Sequence, residues 1–125
     1  MKIVYIAGPY GDAGGYMAID RNIDRARDAA AWLAAHGVGF LCPHMNTAHF
    51  EAILPHVPVE FWYEMDLRLM PVCDALLVLE GWEDSKGTQA EMTAWSTTGK
   101  PMFYEGIDND MLMDWAADVP TGALT

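Results

Sequence analysis

Positive charge is scarce in this sequence of 125 residues, in which 18 acidic side chains outnumber 7 lysines and arginines and give a net charge of −11. A surface of this kind repels the phosphates of nucleic acids and the headgroups of anionic membranes, so we expect neither as a main partner. A small anionic ligand is compatible with the charge, because a few backbone amides and one arginine can bind a single phosphate.

Cysteines and long apolar runs are also few. Cys42 and Cys73 are the two cysteines, which is no disulfide framework and is typical of a protein in a reducing compartment. The first apolar run, Ile3 to Ala7, is short and ends at Gly8, and no segment reaches the length that crosses a membrane. The sequence therefore predicts a soluble, cytoplasmic protein.

What is present is the composition of a globular domain, with 52% hydrophobic and 20% charged residues. A chain of this length has room for one domain around one core, and it shows no repeat, linker or low-complexity stretch. We expect a single domain over residues 1–125.

Patterns of strands and helices alternate along the chain. The β-rich runs that predict strands are 2–7, 38–41, 75–79 and 102–104, and the helical patterns cover about 20–36, 59–70, 88–98 and 108–117. The stretch from Pro43 to Pro58 is predicted to be a long irregular loop. This order predicts an α/β fold, in which helices cover both faces of a parallel sheet of four to five strands. Ligands in such folds bind beyond the carboxyl ends of the strands, where the loops after Ala7, Leu41 and Leu79 converge.

The loop after the third strand leads to a carboxylate, Glu91, which the pattern places in the first turn of a helix that begins at Thr88. Free amides and the helix dipole at that position predict that Glu91 is ionised at neutral pH. An ionised carboxylate in a crevice suits nucleophilic attack on an anomeric carbon. The alternative is that Thr88 and Glu91 form a capping box without catalytic meaning.

A second carboxylate, Asp66, lies toward the end of the helix before the third strand. A carboxylic acid that stays protonated and assists the leaving group is the natural partner of a carboxylate nucleophile. The alternative for Asp66 is an exposed helix acid, and the nearby Asp74 is more typical of a cap or an ion pair at the start of a strand.

The remaining polar loops favour no cofactor or metal. The loop from Gly8 to Tyr16 has neither the Walker A pattern nor the dinucleotide-binding spacing, although its glycines can aim amides at a ribose or a phosphate. His44, His49 and His56 match no standard zinc spacing, so we predict no metal.

Taken in order, these residues resemble the nucleoside 2-deoxyribosyltransferase family. The resemblance includes the 5-hydroxymethyl-deoxyuridine monophosphate N-glycosidases and small phage and bacterial relatives, and it runs from Ile3 to about Tyr104. The segments that carry it are Ile6-Ala7-Gly8-Pro9-Tyr10 with Asn22, Pro43-His44, Asp66 with Asp74, and Gly81-Trp82-x-x-Ser85-x-Gly87-x-x-x-Glu91.

The resemblance implies a flavodoxin-like (Rossmann-like) three-layer sandwich and an enzyme that acts on a nucleoside or nucleotide without a cofactor. Glu91 matches the nucleophile that forms a glycosyl-enzyme intermediate, Asp66 the acid that contacts the base, and Tyr10 a tyrosine that orients the nucleophile. The residues that it implies in substrate binding are Gly8, Pro9, Asn22, His44, Trp82, Ser85 and Gly87.

The resemblance also bears on the substrate and the assembly. Ser85 stands where transferases of free nucleosides carry an aspartate and nucleotide hydrolases carry a serine, which favours a nucleoside 5′-monophosphate. Family members complete each site with a residue from a neighbouring subunit. Asn109 is the nearest candidate for that residue, so we expect a homodimer or a larger homo-oligomer.

Several alternatives stay open. Water or a second base can resolve the intermediate, so the enzyme is a hydrolase or a transferase. Gly87-Thr88-x-x-Glu91 also resembles the end of the signature of cytokinin-activating phosphoribohydrolases. A non-catalytic nucleotide-binding module and a metal-dependent hydrolase built on the histidines are the other possibilities.

Overall fold

A computed structural model of the chain describes residues 1–11 and 15–117. Its sheet contains four strands in the described part, all of them parallel and arranged in the order β2-β1-β3-β4. The strands are β1 (Ile3–Ala7), β2 (Gly39–Leu41), β3 (Ala75–Val78) and β4 (Met102–Tyr104). This is the strand order of flavodoxin-like sheets, so the predicted α/β class and architecture are confirmed.

Six α-helices connect and cover these strands in the described residues. They are α1 (Tyr16–Ala35), α2 (Pro43–Asn46), α3 (Phe50–Ile53), α4 (Val59–Leu69), α5 (Lys86–Ser96) and α6 (Asn109–Ala117). Short 3₁₀ turns at Met70–Val72 and Trp82–Asp84 precede β3 and α5. None of the helices in 1–11 and 15–117 combines the length and the apolar character that a membrane span requires.

Alternate residues of the strands build two cores, one on each face of the sheet. Val4 and Ile6 of β1 pack with Leu33 of α1 and Leu112 of α6 on one face. On the other face, Tyr5 belongs to a cluster with Trp95 of α5. Because side chains alternate along a strand, β1 supplies both cores and the sheet lies between two layers of helices.

Three predicted boundaries are wrong, each for a local reason. Helix α1 begins at Tyr16 and not near Asp20, because Gly15 with φ of 75° starts it without a side-chain cap. The stretch 43–58 is not irregular but contains α2 and α3, the first begun by Pro43 at a position where its missing N–H costs nothing. Helix α5 begins at Lys86 and not at Thr88, because Ser85 caps it.

Candidate functional site

A cavity of about 470 Å³ opens at the carboxyl end of the sheet. Segments that follow three of the strands line it together with two helices. These segments are Gly8 after β1, His44 after β2 and the first two turns of α5 after β3, and the helices are α3 and α4. It lies beside the point where the chain passes from β1 to strands on either side, β2 and β3. This is the switch point at which doubly wound sheets bind their ligands, as the element order predicts.

Glu91 lies on this cavity in the second turn of α5, where it accepts a hydrogen bond from the hydroxyl of Tyr5. Burial raises the pKa of Glu91 to about 8, the hydrogen bond from Tyr5 opposes that rise, and the charge of Asp66 adds to it. The prediction that Glu91 is ionised at neutral pH is therefore wrong. The helix begins too early for its free N-terminal amides to reach the carboxylate.

The capping-box interpretation of Glu91 is also wrong, because Ser85 takes the capping position. Its hydroxyl accepts a hydrogen bond from the Thr88 amide at 3.3 Å and lies 2.8 Å from the Thr88 hydroxyl. Glu91 has no part in capping α5, so its side chain faces the cavity for another reason.

Asp66 lines the same cavity from α4, and its charge acts on Glu91. Burial raises its pKa to about 6. Its Oδ1 atom is buried and finds no hydrogen-bond partner among the described residues. The alternative of an exposed helix acid is wrong, and an unpaired buried carboxylate oxygen is a group that a ligand can satisfy. Asp74 acts as a cap, since its carboxylate accepts a hydrogen bond from the Ile3 amide at 2.8 Å.

The tyrosine next to Glu91 is Tyr5, where the resemblance implied Tyr10. The Tyr10 hydroxyl donates to Glu51 Oε2 at 2.8 Å and accepts from the His49 amide at 2.7 Å, at the rim of the cavity. Tyr10 follows the end of β1, whereas Tyr5 points from within the strand toward α5. The alternation of β1, with a hydroxyl among apolar residues, was the signal in the sequence that could have identified Tyr5.

Two of the residues expected to bind substrate hold the described start of the first loop, at Pro9 and Tyr10. Asn22 Nδ2 donates to the Tyr10 carbonyl at 3.0 Å, and His44 Nε2 lies 2.8 Å from the Pro9 carbonyl. His44 also lines the cavity, and burial lowers its pKa. At Gly8 a Cβ atom would lie 2.7 Å from Leu79 Cδ1, so only glycine lets the two strand ends approach each other here.

Trp82 and Asn109 are not among the residues that line the cavity. Trp82 packs against Tyr104 with ring centroids 5.6 Å apart, and Asn109 Oδ1 accepts a hydrogen bond from the Gly106 amide at 3.0 Å. Trp82 is partly buried against the core, and the expectation that it binds substrate stays a prediction. The expectation that a neighbouring subunit lends Asn109 stays a prediction.

The histidines are not gathered into one cluster. His49 Nε2 lies 2.6 Å from Asp20 Oδ1, and the His49 ring stacks on Tyr16 with centroids 4.3 Å apart. His44 has a different partner, the Pro9 carbonyl. Within 1–11 and 15–117, no three His, Cys, Asp or Glu side chains come together as they would around a metal ion.

The described lining of the cavity combines acidic groups with an aromatic wall. Its acids are Glu51, Asp66, Asp84 and Glu91, against the single cation Lys86. Phe50 and Trp62 contact each other edge to face beside them, with centroids 5.6 Å apart. Aromatic rings beside convergent carboxyl groups can hold a flat heterocycle and exchange protons with it.

Comparison with solved structures finds the 2-deoxyribosyltransferase of the psychrotolerant bacterium Bacillus psychrosaccharolyticus. The identity is 21% and the TM-score 0.58, over 82% of this chain and 70% of the other. This likeness shows a shared fold, and it agrees with the resemblance in the sequence. No curated protein matches. Over residues 2–104 the chain belongs to the family described as "Domain of unknown function (DUF4406)".

Proposed function

We propose that this protein breaks the N-glycosidic bond of a nucleoside or a nucleoside 5′-monophosphate, with Glu91 as the nucleophile and Asp66 as the acid beside the leaving base. The observation that carries the proposal is that these two carboxyl groups, from different helices and both with raised pKa, meet in one cavity of about 470 Å³. A cavity of this size is in the range that holds a small ligand.

The proposed reaction has two steps. An oxygen of the Glu91 carboxylate bonds to C1′ while the C1′–N bond breaks, its electron pair leaves with the base, and the base takes up the proton held by Asp66. In the second step water attacks C1′, the bond from C1′ to the Glu91 oxygen breaks, and the ionised Asp66 takes up a proton from the water, which releases the free sugar. Alternatively a second base attacks C1′ with the same loss of the Glu91 bond and gives its proton to Asp66, which forms a new nucleoside. The first outcome defines a hydrolase and the second a transferase.

The proton count of the pair fits this division of labour. Between the pKa of Asp66, about 6, and that of Glu91, about 8, the two groups together hold one proton. Burial raises the pKa of Glu91 further than that of Asp66, so the shared proton resides mainly on Glu91 until a substrate is bound. A base placed against Asp66 displaces water from it and favours its protonated form. The positive charge that develops at C1′ favours ionised Glu91.

The preference for a 5′-monophosphate rests on the N-terminus of α5. Ser85 and Lys86 line the cavity side by side there, and an ammonium group and a hydroxyl can both donate to a phosphate. The adjacent Asp84 opposes a second negative charge, so the preference depends on Lys86 outweighing it.

The direct test is a panel of nucleosides and their 5′-monophosphates, scored for release of free base with and without a second base. We expect base release by the wild type, and a loss of at least about 10³-fold in Glu91→Gln, which keeps the shape of the side chain and removes the nucleophile. The matched control is Glu83→Gln, which removes an exposed acid of the same loop that does not line the cavity.

Two results would contradict the proposal. Binding of nucleotides by the wild type without release of base from any member of the panel would indicate the non-catalytic module. Equal turnover by the wild type and Glu91→Gln would remove Glu91 from the reaction.

A further inference from the structure

Tyr63 is a cavity residue that the proposed mechanism leaves unused. It lies on α4 one turn before Asp66, and its ring reaches across to the first turn of α5. A Cβ atom at Gly87 would collide with the Tyr63 hydroxyl and would lie 3.2 Å from Cζ. Glycine is unfavourable inside a helix, so this close approach gives a physical reason for Gly87. The pair Tyr63–Gly87 therefore fixes the position of the phenol in the cavity.

Tyr63 lines the same cavity as the two carboxyl groups of the site, and the charge of each acts on its hydroxyl. Burial, and after it the negative charges of Glu91 and Asp66, raise the pKa of Tyr63, so the phenol keeps its proton over the working range of the pair. Glu60 on the same helix acts in the same direction. Within the part of the chain that the structure describes, the Tyr63 hydroxyl is not engaged in a hydrogen bond, which leaves its proton free for a ligand.

We propose that the Tyr63 hydroxyl donates a hydrogen bond to the leaving base while the C1′–N bond breaks. This inference rests on the proposed function and adds a second group on the leaving-group side. Tyr63 and Asp66 lie one turn apart on α4 and both line the cavity, so a base that contacts Asp66 also lies within reach of the phenol. The phenol keeps its proton, and Asp66 remains the acid that delivers one.

The chemistry gives this hydrogen bond a recognisable signature. The base gains negative charge as the bond to C1′ breaks, and a neutral donor interacts more strongly with a charged acceptor than with a neutral one. A weakly acidic base gains the most from such help, whereas an electron-poor base leaves readily without it. The contribution of Tyr63 should therefore depend on the acidity of the leaving base.

The experiment compares the wild type with Tyr63→Phe on a series of pyrimidine substrates whose bases carry no substituent, a methyl group or a halogen. We expect kcat to fall roughly 10–100-fold for the least acidic base and less than about 3-fold for the most acidic one. Tyr104→Phe is the matched control, because it removes a hydroxyl from a partly buried tyrosine that does not line the cavity. An equal loss across the series would overturn the proposal and leave Tyr63 a packing role.

A second variant tests the same idea through Gly87. The new methyl group of Gly87→Ala must displace the Tyr63 hydroxyl, so this variant should show the same dependence on the base. Adding Tyr63→Phe to Gly87→Ala should then cause little further loss, and two independent losses that multiply would contradict the inference. If the wild type releases no base from any substrate, the proposed function itself fails. If the wild type is active but the dependence on the base is absent, only the role of Tyr63 fails.

Discussion

The two faces of the sheet use alternate residues of the same strands, but they differ in what they bury. On the face covered by α1 and α6, Ile6, Leu33 and Leu77 meet only other apolar groups in the core. On the face covered by α5, Tyr5 is buried equally deeply, yet its hydroxyl is bonded to Glu91 at the edge of the cavity. The comparison shows that the candidate site extends from one of the two cores. In that core a buried polar group is present together with its hydrogen-bond partner.

Substitutions in the core of the apolar face should change only the stability of the protein. Leu33 is 0% exposed, so Leu33→Ala should lower the free energy of unfolding by about 2–5 kcal/mol. Urea unfolding at pH 5 and pH 8 should give the same loss, because burial raises the pKa of Cys42, the thiol in this core, and keeps it protonated over that range. A loss that changes with pH would break the distinction between the faces.

On the face that carries the site, replacing Glu91 with a neutral residue should make the protein more stable than the wild type, and increasingly so as the pH rises. The pKa of Glu91 is about 8 in the folded protein and about 4.3 in an unfolded chain, so the unfolded state gives up the proton first. Wild-type stability should therefore fall as the pH rises from about 4 toward 8. Glu91→Gln does not titrate, so its stability relative to the wild type should grow over that window by something on the order of 3 kcal/mol. A difference between the two proteins that is constant with pH would contradict the buried position of Glu91.

Tyr5→Phe probes the bond that joins the core to the site. Its hydroxyl favours the ionised form of Glu91, so its loss should raise the pKa of Glu91 further and lower turnover at neutral pH roughly 10–100-fold. The high-pH limb of the pH–rate profile should move to higher pH. Tyr16→Phe, on the surface of α1, should change neither quantity. A limb that stays in place would show that the Tyr5 hydroxyl does not tune Glu91.

The rate of the wild-type enzyme should show a bell-shaped dependence on pH. Below about pH 6 both carboxyls are protonated and no nucleophile remains, and above about pH 8 both are ionised and no acid remains. The value of kcat/KM should change about tenfold per pH unit outside these limits. Asp66→Asn should turn the bell into a single limb that rises with pH. It should rise at a lower pH than the pKa of Glu91 in the wild type, because a negative neighbour is gone.

The smallest expected effect is at Ser85. Ser85→Ala removes the N-cap of α5 and should lower the free energy of unfolding by about 1 kcal/mol. If Ser85 also contacts a 5′-phosphate, KM should rise for monophosphates and not for nucleosides. Ser96→Ala, at the other end of the helix, is the control for both measurements. An equal rise for both substrate classes would leave Ser85 a capping role only.

The strands and the general place of the site could be predicted from the sequence, because they depend on local patterns. β-rich runs before Gly8 and Gly81 mark the strand ends, and the parallel order brings those ends together. The same reasoning placed Glu91 at this crevice, and the family resemblance placed Asp66 with it; both residues line the cavity.

Features that depend on long-range packing could not be predicted. The raised pKa of Glu91 results from burial in the folded protein and from the charge of Asp66 on another helix, which no pattern within α5 records. The contact of Tyr63 with Gly87 joins residues on two helices, so it exists only after both have packed. The start of α1 was predicted wrongly for a local reason. Gly15 adopts a positive φ, which glycine allows but which its presence in a sequence does not predict.

The bonds that Asn22 and His44 make to the carbonyls of Tyr10 and Pro9 have a consequence for affinity. Two buried side chains, from α1 and from the segment after β2, hold the described start of the first loop before any ligand arrives. A molecule that enters the cavity therefore meets backbone that is already ordered, and its binding does not have to overcome the conformational entropy of that segment. Recognition at this edge of the cavity should resemble the fit of a rigid template more than the closing of a loop.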